Sequence, residues 1–463
     1  MNSKIKKIIV ICIVLFILLI IGLFIFDNFR KSYEVEEIVE EKYFLLSSNG
    51  SFGVIDEKGE IIIAPEYYEI HIPNSSKPLF VCYYDHNQET GEYRTKIINE
   101  QGTELFTKYN KIETINLNDI ETTMPYEKSV LRYERDGKYG LIDLKGNVVT
   151  KAVYDSIDGL SNKEGELLVS KDGKYGVINT KGAELIKTEY DHITGDEYYT
   201  WDKKYALSGY ILGKITSEGY RYGYMTYERK ILLDTEYNEI QRIGGIGKEN
   251  TDEDIFLIAQ KNGQYGLIKN KKTIIDFRYQ SIDYSGIENL FIVNRSSKMG
   301  VYNSLGNKIL AVKFDAVDVN ETYIQTKLKE ETAYYNLLGN RIDKSTIKEV
   351  EKNEEKEEST REATGKIIPK EKDGKWGFVN KDSNVVVDYI YEKVTEFNKY
   401  GFAGIKLNGK WGSIDEDGNI VVEPMYNLEN LHEVEFIGKY YKVVQDYKTV
   451  YYSDDINEGE GNE

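Results

Sequence analysis

Residues 136–146 have the sequence Asp-Gly-Lys-Tyr-Gly-Leu-Ile-Asp-Leu-Lys-Gly, and residues 172–182 have the sequence Asp-Gly-Lys-Tyr-Gly-Val-Ile-Asn-Thr-Lys-Gly. The second stretch repeats the first, because Asp-Gly, an aromatic–Gly pair and a turn of the form Asp/Asn-x-x-Gly occur at the same offsets. Self-similarity of this kind is typical of tandem repeats in which each unit is one supersecondary element. The two stretches therefore predict a repeat protein.

The aromatic–Gly pair recurs along most of the chain and marks the first position of each unit. Seven pairs are present: Phe52-Gly53, Tyr139-Gly140, Tyr175-Gly176, Tyr222-Gly223, Tyr265-Gly266, Trp376-Gly377 and Trp411-Gly412. Met299-Gly300 is a near match, and two eroded units align at Thr95 and Thr332. Ten units then begin at residues 52, 95, 139, 175, 222, 265, 299, 332, 376 and 411, with a mean period of about 40 residues.

A second aromatic residue follows the first at a nearly constant distance. It lies 14 residues after the first position at Tyr109 and Tyr279, and 15 residues after it in seven other units. These seven residues are Tyr67, Tyr154, Tyr190, Tyr237, Phe314, Tyr391 and Tyr426. Chance does not account for a spacing that is kept so often, so the second aromatic belongs to the repeat.

Each unit has the turn signals of a three-stranded antiparallel meander. Asp-Gly or Asn-Gly precedes the first aromatic in six units, and this dipeptide is the strongest short-range signal for a two-residue hairpin turn. The Asp/Asn-x-x-Gly segment closes a second hairpin, because its side-chain oxygen and its glycine fit a type I turn. The glycine after the aromatic removes a side chain where a neighbouring backbone or ring must approach closely.

A meander of this size cannot bury both of its faces, so the units must stack on one another. The predicted fold class is all-β, with about ten units stacked as one or more propeller-like rings or as an open superhelix. The sequence leaves these two arrangements open. The composition agrees with the fold class, because 39 Tyr, 39 Gly and only six Pro suit twisted antiparallel sheet with many turns.

The N-terminal segment predicts a membrane anchor. Residues 8–26 carry no charge and are long enough to cross the hydrocarbon core of a bilayer as a transmembrane helix. The run has no small-x-small exit, so we expect an uncleaved signal anchor and not a cleaved signal peptide. Lys4, Lys6 and Lys7 precede the run, which favours a cytoplasmic N-terminus and an extracytoplasmic body.

The rest of the chain divides by composition. Residues 1–7 form the cytoplasmic N-terminus, and residues 34–348 hold repeats one to eight. Residues 349–364 are a charge run without an apolar period, which predicts a solvated linker. Residues 365–452 hold repeats nine and ten, and residues 453–463 form an acidic tail.

The search for chemistry is mostly negative. The formal net charge of −18 opposes a nucleic-acid partner. Two cysteines, Cys12 and Cys82, cannot form a disulfide framework or a zinc site alone. Because the four histidines are scattered, we expect them to be solvated or in turns: His71, His86, His192 and His432. The sequence predicts no catalytic residue, no metal site, no cofactor and no enzymatic activity.

The chain resembles the bacterial WG-repeat (KWG-repeat) proteins. The resemblance is carried by Gly374-Lys-Trp-Gly-Phe-Val-Asn380 and Gly409-Lys-Trp-Gly-Ser-Ile-Asp415, and by the later Tyr-Asp pair, as in Tyr154-Asp155. It covers about residues 42–452 and is strongest in units three, four, nine and ten. Most first aromatics are Tyr where the family has Trp, which keeps the ring but loses the indole N–H. The resemblance implies β-rich repeats of surface or secreted proteins, with no catalytic residue and no settled ligand.

The surface between units is the predicted place of function. Apart from the charged linker, the longest insertion runs from Asp196 to Tyr220 and concentrates aromatic rings. Exposed rings of this kind stack on sugars or anchor protein partners, and rings that simply pack between units are the alternative. The candidate partner-binding residues are Tyr198, Tyr199, Trp201, Tyr205 and Tyr210.

We therefore expect a membrane-anchored extracytoplasmic repeat protein that acts as a binding or scaffolding module. Its expected partners are the membrane, through the anchor, and a protein or a neutral glycan. The alternatives are a cell-wall glycan-binding protein that uses aromatic grooves, and an enzyme with an unrecognised site.

Overall fold

The structure is a computed structural model that describes residues 41–117, 126–161, 164–199, 205–243, 255–287, 289–346, 366–428, 434–445 and 448–452. Across these ranges the chain is strand, turn and loop, with one short 3-10 helix at Lys344–Thr346. This confirms the all-β prediction. The predicted N-terminus 1–7, span 8–26, linker 349–364 and tail 453–463 lie outside the described residues. In the ranges given above, no helix is long and apolar enough to cross a membrane.

The strands of units one to five follow in chain order. Sheet one contains β1 (Tyr43–Ser48), β2 (Ser51–Asp56) and β3 (Ile61–Tyr67), and sheet two contains β4 (Glu69–His71), β5 (Phe80–Tyr84), β6 (Arg94–Ile98) and β7 (Glu104–Leu105). Sheet three contains β8 (Ile112–Glu113), β9 (Val130–Arg135) and β10 (Lys138–Asp143), and sheet four contains β11 (Ser156–Gly159), β12 (Glu166–Lys171), β13 (Lys174–Asn179) and β14 (Glu184–Tyr190). Sheet five contains β15 (His192–Tyr199), β16 (Tyr205–Thr216), β17 (Gly219–Thr226) and β18 (Ile231–Tyr237).

Units six to ten continue the same pattern. Sheet six contains β19 (Glu239–Ile243), β20 (Phe256–Lys261), β21 (Gln264–Lys269) and β22 (Lys272–Tyr279), and sheet seven contains β23 (Ser281–Tyr284), β24 (Leu290–Arg295), β25 (Lys298–Asn303) and β26 (Lys308–Phe314). Sheet eight contains β27 (Ala316–Val319), β28 (Ile324–Leu328), β29 (Glu331–Tyr335) and β30 (Arg341–Ile342), and sheet nine contains β31 (Ile367–Lys372), β32 (Lys375–Asn380) and β33 (Val385–Tyr391). Sheet ten contains β34 (Lys393–Val394), β35 (Phe402–Leu407), β36 (Lys410–Asp415) and β37 (Ile420–Tyr426).

Each unit forms one sheet, including the two eroded units. Thr95 lies in β6 and Thr332 lies in β29, at the same place in their sheets as the first aromatics of the better-kept units. The described strands form ten sheets, as the ten unit starts predict. Most sheets have a further strand before the meander, such as β11, which follows the second aromatic of the preceding unit and pairs with the next unit.

The register of the second hairpin explains the constant spacing of the two aromatic residues. In eight units the first position is the direct cross-strand partner of the second, as Tyr175 is of Tyr190 and Trp376 is of Tyr391. Side chains at such positions lie on the same face of the sheet and pack against each other. The remaining pairs are Phe52–Tyr67, Tyr139–Tyr154, Tyr222–Tyr237, Tyr265–Tyr279, Met299–Phe314 and Trp411–Tyr426.

Both turns of the unit form as the sequence predicts. Asp172 and Gly173 have φ angles of 51° and 74°, which a type I′ hairpin turn requires. In the second turn, Asp143 Oδ1 accepts hydrogen bonds from the backbone N–H groups of Lys145 and Asn147 at 2.9 and 2.8 Å. The carboxylate oxygen thus supplies the hydrogen-bond acceptor for two backbone N–H groups of the turn.

A carboxylate after the second aromatic connects one unit to the next. Asp191 lies 2.5 Å from Lys174 Nζ of its own unit and accepts the backbone N–H of Ile215, in the next sheet, at 2.9 Å. Asp155 does the same with Lys138 and with the backbone N–H of Asp172. We call this arrangement the Lys–Asp latch.

The core lies between sheets, and each cluster of buried side chains draws on two of them. Val177 and Tyr190 of sheet four pack with Leu207 and Leu212 of sheet five, and similar clusters join each neighbouring pair from one to eight and the pair nine and ten. This confirms that the units stack to bury their faces.

The C-terminal strands complete the first sheet. Strands β38 (Phe436–Ile437), β39 (Tyr440–Gln445) and β40 (Lys448–Tyr452) extend sheet one, where β40 pairs in parallel with β1. Their buried rings also pack against sheet ten. The two ends of the repeat series therefore meet in one sheet.

Candidate ligand-binding cleft

Unit two departs from the repeat at its first turn. The other units have two residues between the first two strands of the meander, whereas unit two has a loop, residues 85–93, between β5 and β6. Asn87 organises this loop, because its Oδ1 accepts hydrogen bonds from the backbone N–H groups of Glu89 and Thr90 at 2.9 and 3.2 Å. Loops held on a rigid scaffold are common places for binding residues.

The loop covers one side of a cleft between sheets two and three. The cleft has a volume of about 310 Å³ and is lined mostly by polar and aromatic side chains. The lining residues are Tyr68, Glu69, His71, Tyr83, His86, Gly91, Tyr93, Glu113, Thr114, Asn116 and Arg132. We call this the unit-two cleft.

His71 is buried in the wall of the unit-two cleft. Its Nδ1 lies 2.7 Å from the hydroxyl of Thr114, its Nε2 lies 2.8 Å from Glu69 Oε1, and its ring stacks on Tyr126 at 4.5 Å. The prediction of a solvated or turn histidine is therefore wrong for His71, because β4 turns this side chain inward. His71 therefore lies against both Glu69 and Thr114 in the wall of the cleft.

Glu113 is a buried carboxylate at the base of the cleft. Arg132 Nε lies 3.1 Å from its Oε2, Lys111 Nζ lies 3.3 Å from its Oε1, and the hydroxyl of Tyr93 donates a hydrogen bond to it. Burial raises the pKa of this carboxyl, but the Tyr93 hydroxyl and the two cations outweigh burial and lower the pKa below its ordinary value. Glu113 is therefore ionised at neutral pH and holds the three surrounding side chains in place.

Tyr68 and His86 form an aromatic platform at the mouth of the cleft. Their rings stack at a centroid distance of 4.1 Å and an interplanar angle of 15°. The side chain of Tyr68 is 52% exposed, which is unusual for a large ring in this protein. The stacked pair presents a flat apolar face beside the polar groups of the cleft.

The sequence did not single out this cleft. The four histidines are scattered along the sequence, although His71 and His86 meet in one cleft. The signal that could have found it is the missing Asp-Gly turn in unit two, together with the polar loop that replaces this turn. That signal is weak because unit two also lacks the aromatic–Gly pair and so resembles an eroded repeat.

The predicted binding edge in unit five is a hairpin between β15 and β16. In its register Tyr198 pairs with Ala206 and Tyr199 pairs with Tyr205, so these residues come together near the end of the hairpin. Trp201 lies outside the described residues. The part that these residues play in binding stays a prediction.

Tyr210 lies in the core and not on an edge. Its ring is fully buried, and its hydroxyl donates a hydrogen bond to Glu166 Oε2 at 2.6 Å. Glu166 is also buried and lies 2.7 Å from Arg229. Tyr210 packs between sheets. For this residue the alternative, that the rings pack between units, is therefore correct.

Other reactive groups are sparse. Cys82 is fully buried in β5, and burial raises the pKa of its thiol to about 12, so almost no thiolate is present at neutral pH. In the part of the chain that the structure describes, no group of three or more His, Cys, Asp or Glu side chains is arranged to hold a metal ion.

The chain shows weak similarity to several solved structures. One, described as "Crystal structure of the eukaryotic initiation factor", is 12% identical, and the match covers 66% of this chain and 85% of that chain with a TM-score of 0.26. PorZ, described as an essential bacterial surface component of the type-IX secretion system of Porphyromonas gingivalis, is 8% identical over 88% of this chain and 55% of that chain, with a TM-score of 0.19. Scores this low carry no argument about function.

Sequence comparison gives a more specific result. No curated protein matches the chain. The family model described as the WG containing repeat matches residues 52–76, 139–175, 175–198, 376–411 and 411–428. These stretches fall in units one, three, four, nine and ten, where the resemblance is strong or fair. These five stretches of the chain are therefore similar to the WG containing repeat.

Proposed function

We propose that this chain is a membrane-anchored, extracytoplasmic protein whose repeats act as a binding or scaffolding module. The observation that carries the binding function is the unit-two cleft. In unit two a loop replaces the two-residue turn, and this loop covers polar and aromatic side chains. A turn replaced by a structured loop on a rigid series of sheets is a common way in which repeat proteins acquire a binding surface.

The anchoring and the outward orientation rest on the sequence. The uncharged run of residues 8–26 is long enough to span a bilayer, and Lys4, Lys6 and Lys7 on its N-terminal side favour an inward N-terminus. The acidic composition agrees with a body that does not bind nucleic acid.

A second candidate function is the recognition of neutral cell-wall glycan. The specific observation in its favour is the exposed platform of Tyr68 and His86, because sugars present apolar C–H faces that stack on aromatic rings. This candidate is a narrower form of the binding module.

Protease digestion of intact protoplasts tests the proposed function. Added protease should remove the body and leave a membrane fragment that ends near Tyr33, since the predicted span precedes this residue. The control is the same digestion after lysis, with a cytoplasmic protein followed in both samples. Full protection of the body in sealed protoplasts would contradict the orientation, and a mature N-terminus that begins after Phe26 would contradict the anchor.

A further inference from the structure

We propose that the unit-two cleft binds a neutral saccharide, with one pyranose ring stacked on Tyr68 and its hydroxyls bonded to Glu69, Asn116 and Arg132. This inference rests on the proposed binding function and names the ligand class of that site. Its first support is size. A cleft of about 310 Å³ lies at the lower end of the range for small-molecule sites and suits a short oligosaccharide.

The platform supplies the stacking surface. Tyr68 is 52% exposed, while its other face is covered by His86 at 4.1 Å. The ring is therefore held in one orientation before a ligand arrives, so less side-chain entropy is lost on binding. A flat ring with one open face fits the C–H face of a pyranose.

The walls supply both hydrogen-bond donors and acceptors, as sugar hydroxyls require. Glu69 offers a carboxylate, Asn116 offers an exposed amide, and Arg132 offers N–H groups. Arg132 is fixed by Glu113 at 3.1 Å and by Asp158 at 2.8 Å. The guanidinium of Arg132 is thus positioned by protein contacts, which is the arrangement that favours specific binding.

The charges of the cleft favour a neutral ligand over a cation. An aromatic cage for a quaternary ammonium group needs several open ring faces. Lys111 Nζ already lies over the ring of Tyr93, 4.6 Å from the ring centroid. A cationic ligand would therefore meet Lys111 where the cage needs an open face.

The same charges disfavour an anionic ligand. The guanidinium of Arg132 is the cation that lines the cleft, and two carboxylates, Glu113 and Asp158, already pair with it. The carboxylate of Glu69 adds a repulsive charge. A saccharide without carboxyl, sulfate or phosphate groups avoids both conflicts.

Calorimetric titration of the full-length protein tests the inference. The protein is held in a detergent without a sugar head group, and the probes are cellotriose, maltotriose, mannotriose and chitotriose. Choline and trigalacturonate are the charged probes. We expect at least one neutral trisaccharide to bind. Tyr68→Ala should weaken this binding by about tenfold or more, whereas Tyr68→Phe, which keeps the ring, should stay within about twofold of the parent.

Tyr323→Ala is the matched control, because this partly buried ring packs edge-on against Tyr334 in sheet eight and does not line the cleft. It should bind the saccharide as the parent does. Thermal unfolding checks that each variant is folded. Three results would overturn the inference: no binding of any neutral trisaccharide by the folded parent, binding of a charged probe alone, or equal binding by Tyr68→Ala.

The two proposals fail separately. If no neutral saccharide binds while protease digests the body from outside, the saccharide inference falls and the binding or scaffolding module stands. If the body is protected in sealed protoplasts, the extracytoplasmic function falls, whatever the titration shows.

Discussion

The glycine after each first aromatic is required by the backbone of the partner strand. In the second hairpin of unit four, Tyr175 pairs with Tyr190 and Val177 pairs with Ile186, so the partner strand bulges opposite Gly176. A Cβ atom at Gly176 would lie 2.8 Å from the carbonyl oxygen of Ile186. The group that approaches Gly176 is therefore the backbone of the partner strand. No side-chain rotation can relieve a clash with it.

Gly176→Val should lower the free energy of unfolding more than Gly173→Ala does. Valine at position 176 forces the backbone of β14 to move, at a cost of roughly 1–3 kcal/mol or more. Alanine at position 173 meets no atom within 4 Å, and its cost is the positive φ of 74°, roughly 1–2 kcal/mol. Urea denaturation of the full-length variants measures both. A midpoint for Gly176→Val equal to that of the parent would refute the packing role.

Single residues also show which features can be predicted from the sequence and which cannot. Gly173 follows from local turn chemistry and Gly176 from the repeated aromatic–Gly pair, so both positions could be predicted. The burial of His71 depends on Thr114 and Tyr126, which lie far from it along the chain, and local pattern contains no information about such contacts.

At the scale of strands and turns, the Lys–Asp latch joins a unit to the next one. Asp191 pairs with Lys174 of its own unit and accepts a backbone N–H from the next sheet. The hydrogen bond from Lys174 is the largest cause that lowers the pKa of Asp191 below its ordinary value, and the bond from Ile215 adds to it. The ionised form is therefore the one that stabilises the fold.

Asp191→Asn should lower the urea midpoint at pH 7, and the difference from the parent should shrink as the pH falls. The sign follows from the lowered pKa: the contribution of the carboxylate is fully present above its unfolded pKa and is lost as the pH falls through the folded pKa. Asp382→Asn, at an exposed turn of sheet nine, is the control and should follow the parent at every pH. A difference that stayed constant from pH 7 to pH 4 would show that charge has no part in the effect.

The hairpins of most units were predictable because their turns carry Asp-Gly, Asn-Gly or Asp/Asn-x-x-Gly signals. The further strand that most sheets have before the meander was not predicted. In β11 it is the short segment Ser156–Gly159, which begins two residues after Tyr154 and has no turn signal before it. The pairing of β11 with the next unit depends on how the units stack, and the local sequence pattern contains no information about stacking.

For the molecule as a whole, the C-terminal strands hold the ends of the repeat series together. Tyr440, Tyr441 and Tyr451 are almost completely buried, and they pack with side chains of sheets one and ten. The parallel pairing of β40 with β1 covers a strand edge that would otherwise be open. These strands lack the repeat signature, so their role was not predicted from the sequence.

A chain that ends at residue 433 should lose stability, whereas one that ends at Tyr452 should not. The shorter chain lacks β38, β39 and β40, and the loss of each large buried side chain costs about 1.5–3 kcal/mol. We expect a lower thermal midpoint and a broader transition for that chain. Equal midpoints for the two truncated chains would show that the C-terminal strands do not stabilise sheet one.

The proposed extracytoplasmic binding function requires the unit-two cleft to face the outside of the cell. Labelling of Gln88→Cys with a membrane-impermeant maleimide on intact protoplasts tests it most directly, because Gln88 is exposed on the loop of the cleft. The parent is a suitable background: Cys82 is fully buried, and Cys12 lies in the predicted span. We predict that Gln88→Cys is labelled in intact protoplasts as strongly as after lysis, while the parent is not labelled. Labelling of Gln88→Cys only after lysis would show that the cleft lies on the cytoplasmic side of the membrane.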